Sequence, residues 1–306
     1  MHSALRKMTV EDVSIHPLFL SYSSPDLERR YTRHRKTSLL NADWYFLQVN
    51  LVLHFLFVLA ESFQFVESSN YVTATLAAVS GFSIVLLQWG LMSVSEGSFW
   101  CRCRTWLLIL LRSARLTTFS FGAPLWFGKA GTDVGTLLKN LVLRSGSLKT
   151  TWLAFGMPLM FKHHLPLQVV SVVALGVATY TQLVEGTCRS GAALLMKVWE
   201  SVNEMLLLLA GAPFNNHNPD VKVAAPVACG HVLMLIHFVL GFLIPSFALW
   251  RFELSSRRSF VTNLPSDDET KTVRIGSTDL PNSLQVFAFV VVGVAALWTL
   301  VTDFAG

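Results

Sequence analysis

"TWLLILLRSARLTTFSFGAPLWF", Thr105 to Phe127, is apolar over a length that crosses a bilayer, yet Arg112 and Arg115 stand near its middle. Whether this stretch spans or lies at the surface decides which way every later segment points. A guanidinium at the bilayer centre costs about 2.5–3.5 kcal/mol on insertion scales unless it is paired or reaches the headgroups. That cost must be weighed against the placement of charge along the rest of the chain.

The chain has 306 residues, 52% of them hydrophobic and 14% charged. Soluble domains carry about 25% charged residues, so the balance points to a membrane protein. The uncharged stretches come in blocks of about twenty residues, which matches a hydrocarbon core roughly 30 Å thick. The formal net charge is +5. Its basic residues flank apolar blocks and do not line a polar face with aromatic platforms, which argues against nucleic acid and for anchoring at the lipid surface. Four cysteines, Cys101, Cys103, Cys188 and Cys229, are too few for a disulfide scaffold and show no CxxC spacing. Residues 1–43 lack an apolar run like a signal-peptide core, so no cleaved secretory signal is expected, and their five acidic residues argue against a transit peptide.

The first clear span is "WYFLQVNLVLHFLFVLAESF", Trp44 to Phe63, with Trp44 and Tyr45 suited to the headgroup level. The second runs from Tyr71 to about Ser95. Its Ala74, Ala77, Ala78 and Gly81 recur at helical spacing, a face on which a neighbouring helix of this chain or of another membrane protein can approach closely. Three later blocks qualify: 165–184, 223–250 with Pro226 and Pro245 near its ends, and 283–302. Between them, "SGAALLMKVWESVNEMLLLLA" (190–210) places Leu194, Leu195, Val198, Trp199, Val202, Leu206 and Leu209 opposite Lys197, Glu200, Ser201 and Glu204. That pattern predicts an amphipathic helix at the interface or packed on the bundle. Residues 255–282 read as a polar, flexible linker.

Basic residues of short loops prefer the cytoplasmic side. If 105–127 does not span, the cytoplasmic segments 1–43, 96–150 and 251–282 hold seven, eight and five Lys or Arg, against none in 64–70 and three in 185–222. If it does span, Lys129, Lys139, Arg144 and Lys149 move outside unless a further crossing follows. The expected architecture is therefore all-α: a polytopic bundle with five full spans, a cytoplasmic N-terminus and a C-terminus on the far side. In it 105–127 is interfacial or re-entrant, with its arginines in the headgroups. A six-span version is the rival.

The constellations that bear on chemistry are few. Asn50, His54 and Glu61 share a stripe of the first span, with Gln88 of the second as a hydrogen-bond partner, and intramembrane polar groups of this kind can relay protons or hold a cation. In the plainer alternative Glu61 reaches the outer surface and His54 bonds a backbone carbonyl. His231 and His237 fall on different helix faces, and His163 and His164 suit the headgroup boundary, so no metal site and no cofactor are expected. "WCRCR" (100–104) offers Cys101 and Cys103 for lipidation, and its arginines would lower a thiol pKa. Arg29, Arg30, Arg33, Arg35 and Lys36 form a basic cluster facing the membrane surface. Asp267, Asp268 and Glu269 read as solvated linker. No phosphate loop, nucleophile elbow, HExxH or paired-cysteine motif is present.

"LFLSYSSPDLERRYTRHRKTSLL", Leu18 to Leu40, resembles the lead-in to the first span of multi-pass class III nucleotide cyclases. Phe19, Pro25, Asp26, Leu27, Glu28, Tyr31 and the basic run carry the likeness, over about 23 residues. A cyclase needs a soluble domain with metal-binding aspartates after its last span, and the sequence stops at Gly306. The resemblance therefore implies a stand-alone membrane-sensor module and no catalytic residues. Read without it, Pro25 starts a helix whose Asp26 and Glu28 favour its N-terminus.

The expectation is thus a non-enzymatic, multi-pass membrane scaffold, sensor module or complex subunit, whose partners are the lipid bilayer and other membrane proteins. The alternative is a small transporter or channel using the Asn50, His54, Glu61 stripe. An intramembrane enzyme acting on lipid is the third class, for which no nucleophile and base can be nominated.

Overall fold

Ser24 caps the first helix through its hydroxyl, Pro25 opens it, and Asp26 and Glu28 sit in its positive first turn. Among the described residues every regular element is helical, apart from one isolated bridge between Ile15 and Tyr22. The computed structural model describes residues 15–16, 19–65, 71–94, 98–126, 141–142, 145–183, 192–209 and 224–263. The helices are α1 (Pro25–Ser38), α2 (Leu40–Phe65), α3 (Tyr71–Val94), α4 (Ser98–Trp126), α5 (Ser147–Gly156), α6 (Phe161–Leu183), α7 (Ala192–Leu209) and α8 (Ala225–Ile236). A π turn (His237–Leu243) joins α8 without a break to α9 (Ile244–Thr262). The expected last span, 283–302, lies outside the described residues.

The stretch in question belongs to α4, whose 29 residues extend about 43 Å at 1.5 Å each. Arg104 near its start reaches the carbonyl of Pro158, Arg112 approaches His164, and Phe119 packs on Leu175, so α4 stands alongside α6 and runs the same way. Leu108, Leu111, Arg112, Arg115 and Phe119 face inward, whereas Trp106 and Leu110 face out. The guanidinium groups of Arg112 and Arg115 are buried in protein.

α5 is half the length of its neighbours. It runs against α4 and α6, with its start beside Phe119 and Leu175 and its end against Phe46 of α2. Its N-cap, Gly146, has φ +83°, and a Cβ there would fall 2.5 Å from Phe119 and 2.9 Å from Leu175, so glycine alone allows this entry.

The 223–250 block extends to Thr262, which converts part of the expected linker, 255–262, into helix. Pro245 does not end it. Lacking an N–H, Pro245 leaves carbonyls of the preceding turn without helical partners, and the turn opens to π geometry. The Leu240 carbonyl is met by Thr151 Oγ1 of α5, and that of Gly241 by Gln168 Nε2 of α6. On α7, Leu195 and Trp199 pack on Cys229, Val232 and Leu233 of α8, while Lys197, Glu200 and Glu204 stay exposed. On the small-residue face of α3, Ala78 is buried, while a Cβ on Gly81 would meet nothing within 4 Å.

Two helices among the described residues are long and apolar enough to cross a membrane: Phe161–Ala178 of α6, and Ala225–Thr262 formed by α8, the π turn and α9. Ala78–Ser93 of α3 is apolar but shorter. Large apolar side chains line the outside, among them Val52, Leu53 and Leu56 of α2 and Val169, Val170, Val173 and Val177 of α6. The interior holds Asp43, Gln88, Arg104, Arg115, His164, Gln168 and Arg257.

Replacing Gln168 by Leu leaves the Gly241 carbonyl buried and unmet, at about 1–3 kcal/mol. The Q168L chain is expected to melt lower in detergent. Adding Pro245→Ala, which restores a backbone donor, is expected to recover part of that loss in the same melting assay.

Candidate functional site

The described members of the first-span stripe make separate bonds. Asn50 is buried, and its Oδ1 accepts from Trp152 Nε1 at 3.2 Å. His54 Nδ1 lies 2.9 Å from the Asn50 backbone carbonyl, the local bond of the plainer reading. Gln88 turns away from both: its Oε1 accepts from Arg115 at 2.9 Å, and its Nε2 lies 2.9 Å from Met157 Sδ. The side chain of Glu61 lies outside the described residues.

The polar interior is organised by arginines of α4 instead. Asp43, at the start of α2, accepts two bonds from Arg104, at 2.6 and 2.7 Å, and one from Trp100 Nε1 at 2.9 Å. Arg104 Nη1 continues to the Pro158 carbonyl at 3.0 Å. Two turns on, Arg112 Nη2 donates to the carbonyls of Leu153 (2.8 Å), Ala154 (3.3 Å) and Met157 (2.7 Å). These belong to the last turn of α5 and the residue after it, where the dipole is negative and the Leu153 carbonyl also accepts the Met157 N–H. That is why α4 can bury a guanidinium there. His164 is buried as well, between Arg112 (3.4 Å) and Ser246 Oγ (3.3 Å), which corrects its expected place at the headgroups. His237 sits apart, bonded to the carbonyls of Leu233 and Ser145.

Between α4, α5 and α6 lies a cavity of about 20 Å³, enough for one water-sized occupant. Arg112, Arg115 and Lys149 bring three cationic side chains to it, over an apolar floor of Leu116, Phe119 and Leu175. No carboxylate is among the described lining residues. Arg115 Nε and Nη1 and Arg112 Nε are buried with no hydrogen-bond partner among the described residues. Among the described residues no three His, Cys, Asp or Glu side chains converge as a metal site would require.

A second polar cluster docks the N-terminal lead-in. Arg257 of α9 is fully buried, pairs with Glu28 of α1 at 2.6 Å and with Glu253 at 2.8 Å, and lies over the ring of Tyr31 at 4.1 Å. Lys162 adds a contact to Glu28 at 3.2 Å, and Tyr22 hydroxyl donates to the Arg257 carbonyl at 2.7 Å. Burial alone would raise the Glu28 carboxyl, but the hydrogen bonds and charge of Arg257 outweigh it and hold the group below its usual 4.5. Leu27 and Tyr31 face this cluster while Arg29, Arg30 and Arg33 are exposed, with Arg35 and Lys36 half-buried. The sequence signals acidic and basic ends of α1 but not the partner 229 residues away.

Cys101 and Cys103 are free and half-buried. Burial, then Asp43, push the Cys101 thiol up, against the lowering expected from its arginines. The charges of Arg104 and Lys36 act the other way but are outweighed. Cys229, by contrast, is disulfide-bonded.

Asp43→Leu strands Arg104 in the interior and is expected to cost about 3–5 kcal/mol of unfolding free energy; D43L with Arg104→Met is expected to recover most of it. Because the Glu28 pKa is depressed on folding, its stabilising contribution is full above about pH 4.5 and is lost as pH falls through the lower folded value. Hydrogen exchange in α1 should therefore accelerate below that pH, and Glu28→Gln should remove the step. No model of a known family, no curated protein and no solved structure matches this chain.

Proposed function

We propose that the chain is a non-enzymatic, multi-pass membrane protein: a scaffold, sensor module or complex subunit. One observation carries this reading, the inverted distribution of polarity, with valines and leucines on the outer faces of α2 and α6 and carboxylate, guanidinium, imidazole and amide groups inside. In water such an outside is an association liability, whereas in hydrocarbon it is the only stable arrangement. The docked lead-in supports the sensor form, because α1 joins a basic outer face to a buried contact with α9.

Cysteine chemistry supports the orientation. The disulfide-bonded Cys229 sits at the start of α8, next to the segment that charge assigns to the far side. The free Cys101 and Cys103 sit at the start of α4, within the segment that charge assigns to the cytoplasm. Disulfides persist on oxidising faces and thiols on reducing ones. α4 counts among the crossing helices in this reading, since its length exceeds the hydrocarbon thickness and its arginines are paired inside. Because α4 and α6 run the same way, the chain between them returns across the bilayer, and the half-length α5 lies on that return leg.

A small transporter or channel is the second reading. It gains from α5 and the π turn, since broken helices lining an interior cavity are where carriers place their sites. Of the first-span stripe, Asn50 accepts from Trp152 and His54 bonds the Asn50 carbonyl.

The protein is expected to stay with the membrane after alkaline carbonate, and release into the supernatant would overturn the membrane reading. A glycosylation tag at Lys139 is expected to be modified from the far side; modification only from the cytoplasm would return α4 to a re-entrant hairpin. After reconstitution, co-purification of a partner without solute flux supports the subunit, and flux lost in Arg115→Gln supports the carrier.

A further inference from the structure

The outer side of α1 gathers positive charge that the fold leaves uncovered. Leu27 and Tyr31 are buried and Glu28 reaches Arg257, so the helical period puts Arg29, Arg33 and Lys36 on the opposite side, with Arg30 beside them. The three arginines are exposed and Lys36 is half-buried. Lys36 Nζ donates to the Arg102 carbonyl at 3.3 Å, which joins the exposed Arg102 of α4 to the same patch. Among the described residues Asp26 is the one carboxylate on that side of α1. It lies 3.7 Å from Arg29 with both side chains more than 80% exposed, where water and salt screen the pair. Glu28 and Asp43 are held elsewhere, by Arg257 and Arg104.

Position narrows the partner. The bonds from Asp43 to Trp100 and Arg104 set the start of α2 level with the start of α4. Tyr45, Phe99 and Trp106 therefore stand at about one height around Arg102, exposed by 68%, 42% and 72%. Beyond them the outer faces turn aliphatic, with Val49, Val52 and Leu53 on α2 and Leu110 on α4. Exposed aromatic rings at the edge of an apolar belt mark the headgroup level. The cations of α1 and Arg102 stand at that edge. The one Phe, Tyr or Trp of α1, Tyr31, is buried, so its outer side offers no ring on which a nucleic-acid base could stack.

We infer that this patch selects the anionic phospholipid headgroups of the adjoining leaflet, and that this binding is the input of the sensor form, on whose membrane reading it rests. The cationic and docking sides of α1 face opposite ways, so lipid does not compete with the Glu28–Arg257 pair. Negative headgroups hold the helix from outside while α9 holds it from within. Anionic lipid therefore favours the docked α1, and neutral lipid leaves it to its protein contacts alone.

The test follows amide exchange across α1 in the full chain, reconstituted in nanodiscs of phosphatidylcholine with or without phosphatidylserine. With phosphatidylserine, exchange in α1 is expected to slow by about tenfold at low salt, and added salt is expected to shrink the difference. Replacing Arg29, Arg30 and Arg33 together by Gln is expected to abolish the difference, whereas replacing them by Lys keeps it, because a surface potential reads charge. Should the triple Gln variant fold poorly, Lys36→Gln with Arg102→Gln is expected to reduce the difference while leaving exchange in α6 unchanged. Glu28→Gln is expected to speed α1 exchange in both lipids, which separates lost docking from lost lipid binding. Equal α1 exchange in the two discs, or a difference that survives the triple Gln variant, overturns the proposal. So does equal protection in neutral discs by inorganic phosphate or by RNA. A chain embedded in both discs with equal exchange sinks the lipid selectivity alone, whereas one that stays dissolved without disc or detergent sinks the membrane reading too.

Discussion

A guanidinium taken out of water must have its N–H groups met by oxygen, and the framework follows from where four arginines meet that demand. Arg104 finds Asp43, Arg112 the frayed end of α5, Arg115 the amide of Gln88, and Arg257 two glutamates. These pairings tie α2 to α4, α4 to α5, α3 to α4 and α1 to α9. Apolar packing closes the gaps between these ties, through Leu47, Val85, Trp100 and Leu108 on one side and Leu195, Trp199 and Val232 on the other. In a lipid-like setting apolar contact alone gives little preference among neighbours, so polar pairing is what selects partners.

Much of the helical content was readable because its signal is local. Twenty apolar residues between polar flanks announce a helix whatever surrounds it, and the stripe of Leu195 and Trp199 opposite Lys197 and Glu204 announces a packed amphipathic one. The α1 start was equally legible from Ser24, Pro25, Asp26 and Glu28. What local pattern cannot encode is the fate of a charge. Arg112 and Arg115 read as surface residues because their acceptors lie 41 to 45 residues downstream for the one and 27 upstream for the other. Likewise His54 and Gln88 share helical levels on the sequence map, yet the nearer attraction for Gln88 is the Arg115 guanidinium. The number of spans stays a matter of proposal for the same reason, since hydropathy weighs every lysine and arginine alike and ignores whether a partner waits inside.

Pro245 is accommodated inside a helix. Pro245 reads as a terminator by local rules, but here the carbonyls it releases are taken up by Thr151 and Gln168, and the helix continues to Thr262. A breaker becomes a joint when neighbouring helices supply the donors it lacks.

The widened turn also sets an azimuth. Each residue added to or removed from a helix rotates everything beyond it by about 100°. The seven residues of the π turn therefore determine whether Glu253 points at the head of α6 and whether Arg257 points at Glu28. Relaxing that turn to ordinary α geometry would swing both away from their partners. The grip on α1 and the donors deep in the bundle are thus geared together through one helix, and a twist at either end is felt at the other.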